Sequence, residues 1–234
     1  MSFTCRLMRE DEFTMEFELF VMETFFPYEP MNQYLKTKVP DEIDLPWLKQ
    51  VFYKAKTDHL SLAFYDLEKN CSLPIAYSLN LHDKKDDDTT DHSDILYSSL
   101  NRHYLHKHEH ISGLLTKLHE NIDLFKEFQC NNLFHVYLLG VNPKYRRNQL
   151  ASQLIDKSIQ FAKENNFDLI YADVTGDYSL KAFLKYNFQI FKTINYNSYE
   201  NYSGEKTFQN ISIHKGCSIV VKDLRNKYKE KSFT

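Results

Sequence analysis

Residues 133–188 constrain the fold most strongly, because strongly apolar runs alternate there with helical periods at close spacing. Leu133–Val141 (LFHVYLLGV) and Asp168–Val174 (DLIYADV) have the composition of buried strands. Gln149–Asn165 and Ser179–Tyr186 carry apolar side chains at helical spacing. Strand, helix, strand and helix in this order predict a βαβ unit with parallel strands, and therefore an α/β domain.

The remainder of the chain predicts further elements around this unit. Asp11–Phe26 has the pattern of an amphipathic helix, which Pro27 ends, and a turn is expected over Pro27–Asn32. The other predicted elements are a helical segment at 41–56, a hairpin of strands 60–65 and 74–81, and strands at 189–196 and 218–221. No stretch has the composition of a linker, so we expect one domain over residues 1–234.

Two polar regions lie between the hairpin and the βαβ unit. Asp83–Asp94 is acidic and lacks hydrophobic periodicity, which predicts an exposed loop to which no function is assigned. Helical spacing returns over Ile95–Phe128, with an interruption expected near Ser112–Gly113. Histidines cluster in this segment, at His103, His106, His108, His110 and His119. A solvated helix face is the favoured interpretation; a metal pair formed by His106 and His110 is the alternative.

Composition and charge exclude several classes of protein. The formal net charge of -3 argues against a broad nucleic-acid-binding surface, although a local basic site for one anion remains compatible with it. The 4 cysteines have no zinc-site or paired spacing, so reduced and mostly buried thiols are expected. No apolar stretch approaches the roughly 20 residues that span a bilayer. We therefore expect a cytoplasmic protein without membrane or nucleic-acid partners; its oligomeric state is not predicted.

The segment Leu138–Ser152 has the sequence of an anion site. A buried strand ends at Val141, a basic loop with Arg146 and Arg147 follows, and a helix begins with small residues. The first amides of a helix have no internal acceptor and carry the positive end of the helix dipole, so they suit a phosphate or diphosphate. An ordinary surface turn with two solvated arginines is the alternative.

This segment resembles motif A of the GNAT superfamily of N-acetyltransferases, whose loop reads Arg/Gln-x-x-Gly-x-Gly/Ala after a strand that ends in Val. Val141, Arg146 and Ala151 match, whereas Gln149 stands where the first Gly is expected. Downstream, Asn187-Phe188 stands for the family's Gly-Phe pair, and Phe183 stands where many members place a Tyr that protonates the leaving thiolate. A positive φ at Gln149 would cost on the order of 1 kcal/mol or more.

Two further segments resemble the invertebrate arylalkylamine N-acetyltransferases within that superfamily. Residues 25–32 (FFPYEPMN) are similar to that group's Phe-Phe…Glu-Pro-Leu-Asn element, and residues 174–179 (VTGDYS) are similar to its Ser-Ser-His-Tyr-Ser stretch. The resemblance implies that Glu29 is the catalytic base and that the hydroxyls of Thr175 and Ser179 assist proton transfer. From the residues alone, Glu29 could be a surface turn residue and Ser179 a helix N-cap.

The resemblance implies a fold, a reaction and a site. The fold would be an α/β (α+β), GNAT-like, mostly antiparallel sheet of about six or seven strands, flanked by helices and splayed between the 133–141 and 168–174 strands. The reaction would be direct transfer of an acetyl group from acetyl-CoA, without a metal, to a small-molecule primary amine. An arylalkylamine is the first candidate and a polyamine or amino acid conjugate the next. A degenerate acyltransferase that binds coenzyme A, or only a partner protein, is the alternative. The residues implied to bind the cofactor are Leu138, Leu139, Val141, Arg146, Arg147, Asn148, Gln149, Leu150, Ala151 and Ser152.

Overall fold

The computed structural model describes residues 2–38, 46–69, 73–85 and 102–225, without the side chains of 46, 47 and 102–106. The helices are α1 (Met15–Phe25), α2 (Pro30–Tyr34), α3 (Pro46–Asp58), α4 (Arg102–His119), α5 (Leu124–Glu127), α6 (Leu150–Glu164) and α7 (Asp177–Leu184). The strands are β1 (Phe3–Leu7), β2 (Leu62–Asp66), β3 (Ala76–Lys84), β4 (Asn132–Val141), β5 (Leu169–Val174), β6 (Gln189–Asn195) and β7 (Gly216–Asp223).

The strands form a 7-stranded sheet in the order β1-β2-β3-β4-β5-β7-β6. Every neighbouring pair is antiparallel except β4 and β5, which run parallel through the α6 crossover. The predicted fold class, the hairpin of β2 with β3 and the βαβ unit are therefore confirmed.

Helices cover both faces of the sheet because successive strand residues point to opposite sides. Phe17 and Val21 of α1 are fully buried in one cluster with Tyr77 of β3. On the other face, Ile155 of α6 is buried in one cluster with Phe134 of β4 and other residues of β4, β5 and α7. The side chain of Thr14 caps α1 by accepting a hydrogen bond from the Phe17 amide at 3.2 Å.

The parallel pair β4–β5 separates along its length. Pairing covers only Leu133 with Leu169 through His135 with Tyr171, although both strands continue beyond that point. On the other side of β4 the register with β3 skips Tyr137, which is the extra residue of a β-bulge. A bulge bends its strand, and this one lies just beyond the point where the pairing of β4 with β5 ends. The predicted splay between these strands is thus confirmed.

Several predicted boundaries were wrong. Asp83 and Lys84 belong to β3 rather than to the acidic loop, and Asp83 is buried with its carboxylate 2.6 Å from the Tyr171 hydroxyl. The rest of that loop, from residue 86 on, lies outside the described residues. α4 runs through Gly113 without interruption, because a glycine lowers helix propensity but does not forbid the conformation. The turn expected up to Asn32 already contains the first residues of α2.

The histidine and cysteine predictions have mixed outcomes. His119 is half-buried, and its Nε2 lies 2.8 Å from the Asp173 carboxylate, a contact that the prediction of a solvated face did not include. His103 and His106 fall among the undescribed side chains. In the described part of the chain, no group of three or more His, Cys, Asp or Glu residues is placed to hold a metal ion. Cys130 and Cys217 are buried free thiols and Cys5 is half-buried; Cys71 lies outside the described residues. No helix within the described ranges is long and apolar enough to cross a membrane.

Candidate active site

A cleft of about 220 Å³ opens where β4 and β5 diverge. One wall is the end of β4, from Leu139 to Val141, with Arg146 beyond it. The opposite wall follows the end of β5 and includes the start of α7, with Thr175, Gly176, Tyr178 and Ser179. The end of α1 and the following turn, including Glu29, close a third side. The cleft lining thus includes the predicted residues Glu29, Thr175 and Ser179. Of the residues predicted to bind the cofactor it includes Leu139, Val141 and Arg146, while the rest of that set lies outside the lining.

The basic loop after β4 is held in place by the residue before Arg146. Tyr145 is buried, and its hydroxyl donates to the Asp66 carboxylate at 2.9 Å while accepting a bond from Lys69 at 2.9 Å. The side chain of Asn148 donates to the Tyr145 carbonyl at 2.9 Å. These bonds fix the loop to the end of β2, so the start of α6 has a defined position relative to β4.

The start of α6 leaves consecutive backbone donors without acceptors. In the described part of the chain, no hydrogen bond uses the amides of Arg147 through Ser152, and the first amide to bond within the helix is that of Gln153, to the Gln149 carbonyl. Gln149 is the N-cap residue and provides no side-chain cap. Amides of this kind, at the positive end of a helix of 15 residues, fit a diphosphate.

The loop turns through two residues in the left-handed region. Arg147 has a φ of 67° and Gln149 a φ of 58°. The φ at Gln149 confirms that this position requires the conformation that a glycine adopts without strain. The Gln149 side chain is exposed and forms no hydrogen bond in the described part. The substitution therefore strains the backbone but leaves the loop conformation intact.

Two prolines determine the position of Glu29. Pro27 lies in the 3-10 turn Phe26–Tyr28, and Pro30 is the first residue of α2, where the missing amide is not needed. The residue before a proline favours extended backbone, and Glu29 has a φ of -77° and a ψ of 128°. Its carboxylate caps α2 by accepting bonds from the Met31 amide at 3.1 Å and the Asn32 amide at 2.7 Å.

Glu29 is buried yet forms part of the cleft lining. It is 6% exposed, which contradicts the alternative of a surface turn residue. Burial raises the pKa of Glu29 above its usual 4.5, although hydrogen bonds from Asn32, Met31 and the Thr175 hydroxyl oppose that rise. No cation is bonded to this carboxylate in the described part of the chain. The arrangement is that of a base that can accept a proton in a cleft.

The connection after β5 and the first turn of α7 each supply one of the two predicted hydroxyls. Thr175 follows the last residue of β5, and its carbonyl accepts a 2.7 Å bond from the Tyr196 hydroxyl. The Ser179 hydroxyl donates to the Gly176 carbonyl at 2.9 Å. Gly176 is the N-cap of α7, so the alternative role of Ser179 as that cap was wrong. Both hydroxyl-bearing residues line the cleft.

The family model described as "Acetyltransferase (GNAT) family" matches residues 76–188. This range begins with β3 and includes β4, the α6 loop, β5 and α7. Residues 76–188 carry the sequence of a GNAT acetyltransferase domain.

Solved structures show that the fold around this GNAT domain is shared by insect acetyltransferases. Arylalkylamine N-acetyltransferase 2 from Aedes aegypti matches with a TM-score of 0.79 and 21% identity over 96% of this chain and 100% of that one. Polyamine N-acetyltransferase from Drosophila melanogaster matches with a TM-score of 0.75 and 17% identity, over 95% of this chain and 100% of that one. Mosquito arylalkylamine N-acetyltransferase-like 5b matches with a TM-score of 0.75 and 20% identity, over 95% of this chain and 100% of that one. Among curated protein sequences no match was found.

The GNAT domain lacks a hydroxyl at Phe183. This side chain is buried and packs edge-on against Phe188, with ring centroids 4.9 Å apart. Asn187 takes a φ of 61° after α7, which is the left-handed conformation that the family's glycine adopts easily. The helix end is therefore preserved, while a proton for the leaving thiolate has to come from another group or from water.

Other residues of the GNAT domain and its flanks line the cleft and were not predicted from the sequence. His214 lies beside Tyr178, and its Nδ1 accepts the Asp177 amide at 3.1 Å, so the proton of the neutral ring is on Nε2. Gly140 lines the β4 wall, and a Cβ there would collide with the buried Tyr77 ring. No local motif marks His214, because it reaches the site from a loop that is distant in sequence.

Proposed function

We propose that this protein transfers an acetyl group from acetyl-CoA to a primary amine, with Glu29 as the general base. The observation that carries the proposal is the buried Glu29 carboxylate, which lines the same cleft as the end of β4 and Arg146. A protonated amine has no lone pair, so a base must remove a proton before the nitrogen attacks a thioester carbonyl. The GNAT domain supports acetyl-CoA as the donor.

Each proposed site residue has a role in that reaction. The amides from Arg147 to Ser152 hold the diphosphate, together with Arg146 and Arg147, and the backbone of Leu138–Val141 orients the thioester. Glu29 takes a proton from the ammonium group, the nitrogen bonds to the carbonyl carbon, and the carbon–sulfur bond breaks. The nitrogen loses its second proton to water as the amide forms, and the leaving coenzyme A thiolate takes up a proton from water. Thr175 and Ser179 relay protons. No covalent intermediate with the protein is needed.

The cleft lining favours an arylalkylamine over a polyamine. Phe25, Tyr28, Tyr178 and His214 contribute aromatic rings. Among the lining residues that the structure describes, Glu29 is the only carboxylate and Arg146 is a cation. A polyamine carries a second positive charge, for which this lining holds no second carboxylate, whereas an aromatic ring gains contact area and stacking.

A panel of amines tests the proposal. Thiol release from acetyl-CoA would be measured with tyramine, phenylethylamine, putrescine and agmatine, and coenzyme A binding by calorimetry. We expect kcat/KM for tyramine and phenylethylamine to exceed that for putrescine and agmatine by about tenfold or more. Equal or better use of putrescine would contradict the arylalkylamine assignment alone.

A coenzyme A-binding module without catalysis is the second candidate, and Phe183 and Gln149 are the observations in its favour. Coenzyme A binding without thiol release with any of the four amines would support it and contradict the enzymatic proposal. Absence of coenzyme A binding would contradict both.

A further inference from the structure

A side chain from the turn that holds Glu29 stacks on a side chain of the basic loop after β4. The guanidinium carbon of Arg146 lies 3.6 Å from the centroid of the Tyr28 ring. Tyr28 ends the 3-10 turn directly before Glu29, whereas Arg146 precedes the unpaired amides at the start of α6. Both side chains line the cleft. A residue of the turn that positions the proposed base therefore touches the loop proposed to bind phosphate.

Stacking uses only part of the binding capacity of Arg146. A guanidinium is planar, with its N–H donors directed outward in the plane, while its faces are free to stack on an aromatic ring. Phosphate oxygens bind to the edge of that plane. Arg146 has no ion-pair partner and donates no side-chain hydrogen bond in the part of the chain that the structure describes. The Tyr28 ring therefore holds the group without competing for the donors that an anion needs.

We propose that Tyr28 is a positioning residue for the diphosphate of acetyl-CoA, acting through Arg146. This inference rests on the proposed function. An exposed arginine has to lose most of its rotamer freedom when it binds a phosphate. The stack restricts that freedom in advance and fixes the plane of the guanidinium, so a smaller ordering cost remains when the cofactor binds. Tyr28 thus supports cofactor affinity although it belongs to the acceptor side of the cleft.

The test compares coenzyme A dissociation constants of the wild-type protein, Tyr28→Phe, Tyr28→Leu, Arg146→Gln and the Tyr28→Leu/Arg146→Gln double variant. We expect Tyr28→Leu to weaken binding by about threefold to tenfold, since it removes the ring face from a partly exposed stack. Tyr28→Phe keeps the face and should stay within about twofold of wild type. In the Arg146→Gln background, Tyr28→Leu should have no further effect.

Two controls separate positioning from a general loss of structure. Pantetheine lacks the diphosphate, so its binding should be equal in wild type and Tyr28→Leu. Tyr53→Leu removes another exposed tyrosine, on α3 outside the cleft, and should not change coenzyme A affinity.

An unchanged coenzyme A affinity in Tyr28→Leu would overturn the inference while the proposed function stands. The same follows if pantetheine binding falls equally, or if the loss persists in the Arg146→Gln background. Failure of the wild-type protein to bind coenzyme A would instead overturn the proposed function, and with it the inference, before any variant is compared.

Discussion

Glu29 is subject to two opposite influences on its pKa, burial and hydrogen bonding. It is buried, which raises the pKa, and it accepts three bonds from Met31 and Asn32, which keep the charged form tolerable. A raised pKa makes a carboxylate a stronger base once it is ionised. The sequence around Pro27 and Pro30 creates this situation, since the two prolines enforce the turn that directs Glu29 inward.

We expect Glu29→Gln to lower kcat with an arylalkylamine by about two to four orders of magnitude, because Gln cannot accept the proton. In the wild type, kcat/KM for the amine should rise with pH as Glu29 ionises, with the midpoint above 4.5 because burial raises this pKa. In the variant only the slope due to the amine itself should remain. Glu23→Gln, an exposed glutamate on α1, is the matched control. Wild-type activity in Glu29→Gln would contradict the role.

Gln149 stores backbone strain at the start of α6. Its φ of 58° costs a residue with a Cβ about 1 kcal/mol or more relative to glycine. We expect Gln149→Gly to raise the free energy of unfolding by about 0.5–1 kcal/mol, as measured by urea denaturation. The control Gln160→Gly changes the same residue type inside α6 and should lower it by about 1 kcal/mol. Similar destabilisation by both changes would contradict the strain.

At the scale of elements, α4 shows how a helix accommodates an internal glycine. Gly113 lies within the helix, and a Cβ placed there would be 3.6 Å from the Tyr199 hydroxyl oxygen, an ordinary contact distance. The glycine is therefore not required by space or by a positive φ. It lowers the helix propensity of a segment whose neighbours already form a continuous helix.

Gly113→Ala should raise the free energy of unfolding by about 1 kcal/mol, because alanine has the higher helix propensity and its methyl group fits. Gly216→Ala is the opposing control, since a Cβ at Gly216 would collide with the Ile194 carbonyl oxygen across the β6–β7 pair. Thermal or urea unfolding of the two variants measures the difference. Destabilisation by Gly113→Ala would show that a break in α4 is needed after all.

Elements whose pattern of apolar and polar side chains matches their burial in the fold could be predicted from the sequence. The β4 and β5 runs are apolar because both faces are buried, and α6 shows a clear helical period because one face is solvated. The question of a positive φ at Gln149 came instead from the resemblance, because the family's loop has a Gly at that position. By contrast, the burial of Asp83 depends on a partner distant in sequence, so its polar character predicted exposure wrongly. The contact of the half-buried His119 with Asp173 also joins residues distant in sequence, and no local pattern predicts it.

Site residues that stand in local sequence motifs could be predicted, and those that reach the cleft only through folding could not. Glu29, Arg146, Thr175 and Ser179 stand in motifs, and the structure places all of them along one cleft. His214 carries no local signal, because only the docking of its loop against α7 brings it there. The bulge at Tyr137 was equally hidden, since a bulge is a property of two paired strands.

At the scale of the whole molecule, one ion pair links the sheet to the first helix. Arg6 of β1 donates two bonds to the Glu12 carboxylate, at 2.8 and 2.7 Å, in the turn that leads to α1. Burial, the largest single influence, raises the pKa of Glu12, but the bonds from Arg6, the Arg9 amide and Tyr65 together lower it from 4.5 to about 2. The charged form is therefore favoured in the folded state.

This depressed pKa predicts how stability depends on pH. Glu12 takes up a proton near pH 4.5 in the unfolded chain and only near pH 2 in the folded one. The contribution of Glu12 to the free energy of unfolding is therefore complete above about pH 4.5 and is lost as the pH falls towards 2. Because Arg6 is partly exposed, solvent screens part of this interaction. We expect Glu12→Gln to lower the free energy of unfolding by about 1–2 kcal/mol at pH 7 and by progressively less below pH 4. Urea titrations at pH 7, 4 and 3 measure it, with Glu10→Gln as the control. A cost that does not change with pH would contradict the assignment.

The early end of the β4–β5 pairing gives the sheet an inner edge. Beyond His135 and Tyr171, the described part of β4 has no neighbouring strand on its β5 side, so the backbone groups there resemble those of an edge strand although they lie in the middle of the sheet. The pantetheine arm of acetyl-CoA carries amide groups, so, bound along this edge, it would pair with the backbone as an additional strand does. Ligand binding and the cohesion of the two halves of the molecule would then be one equilibrium, and each would strengthen the other.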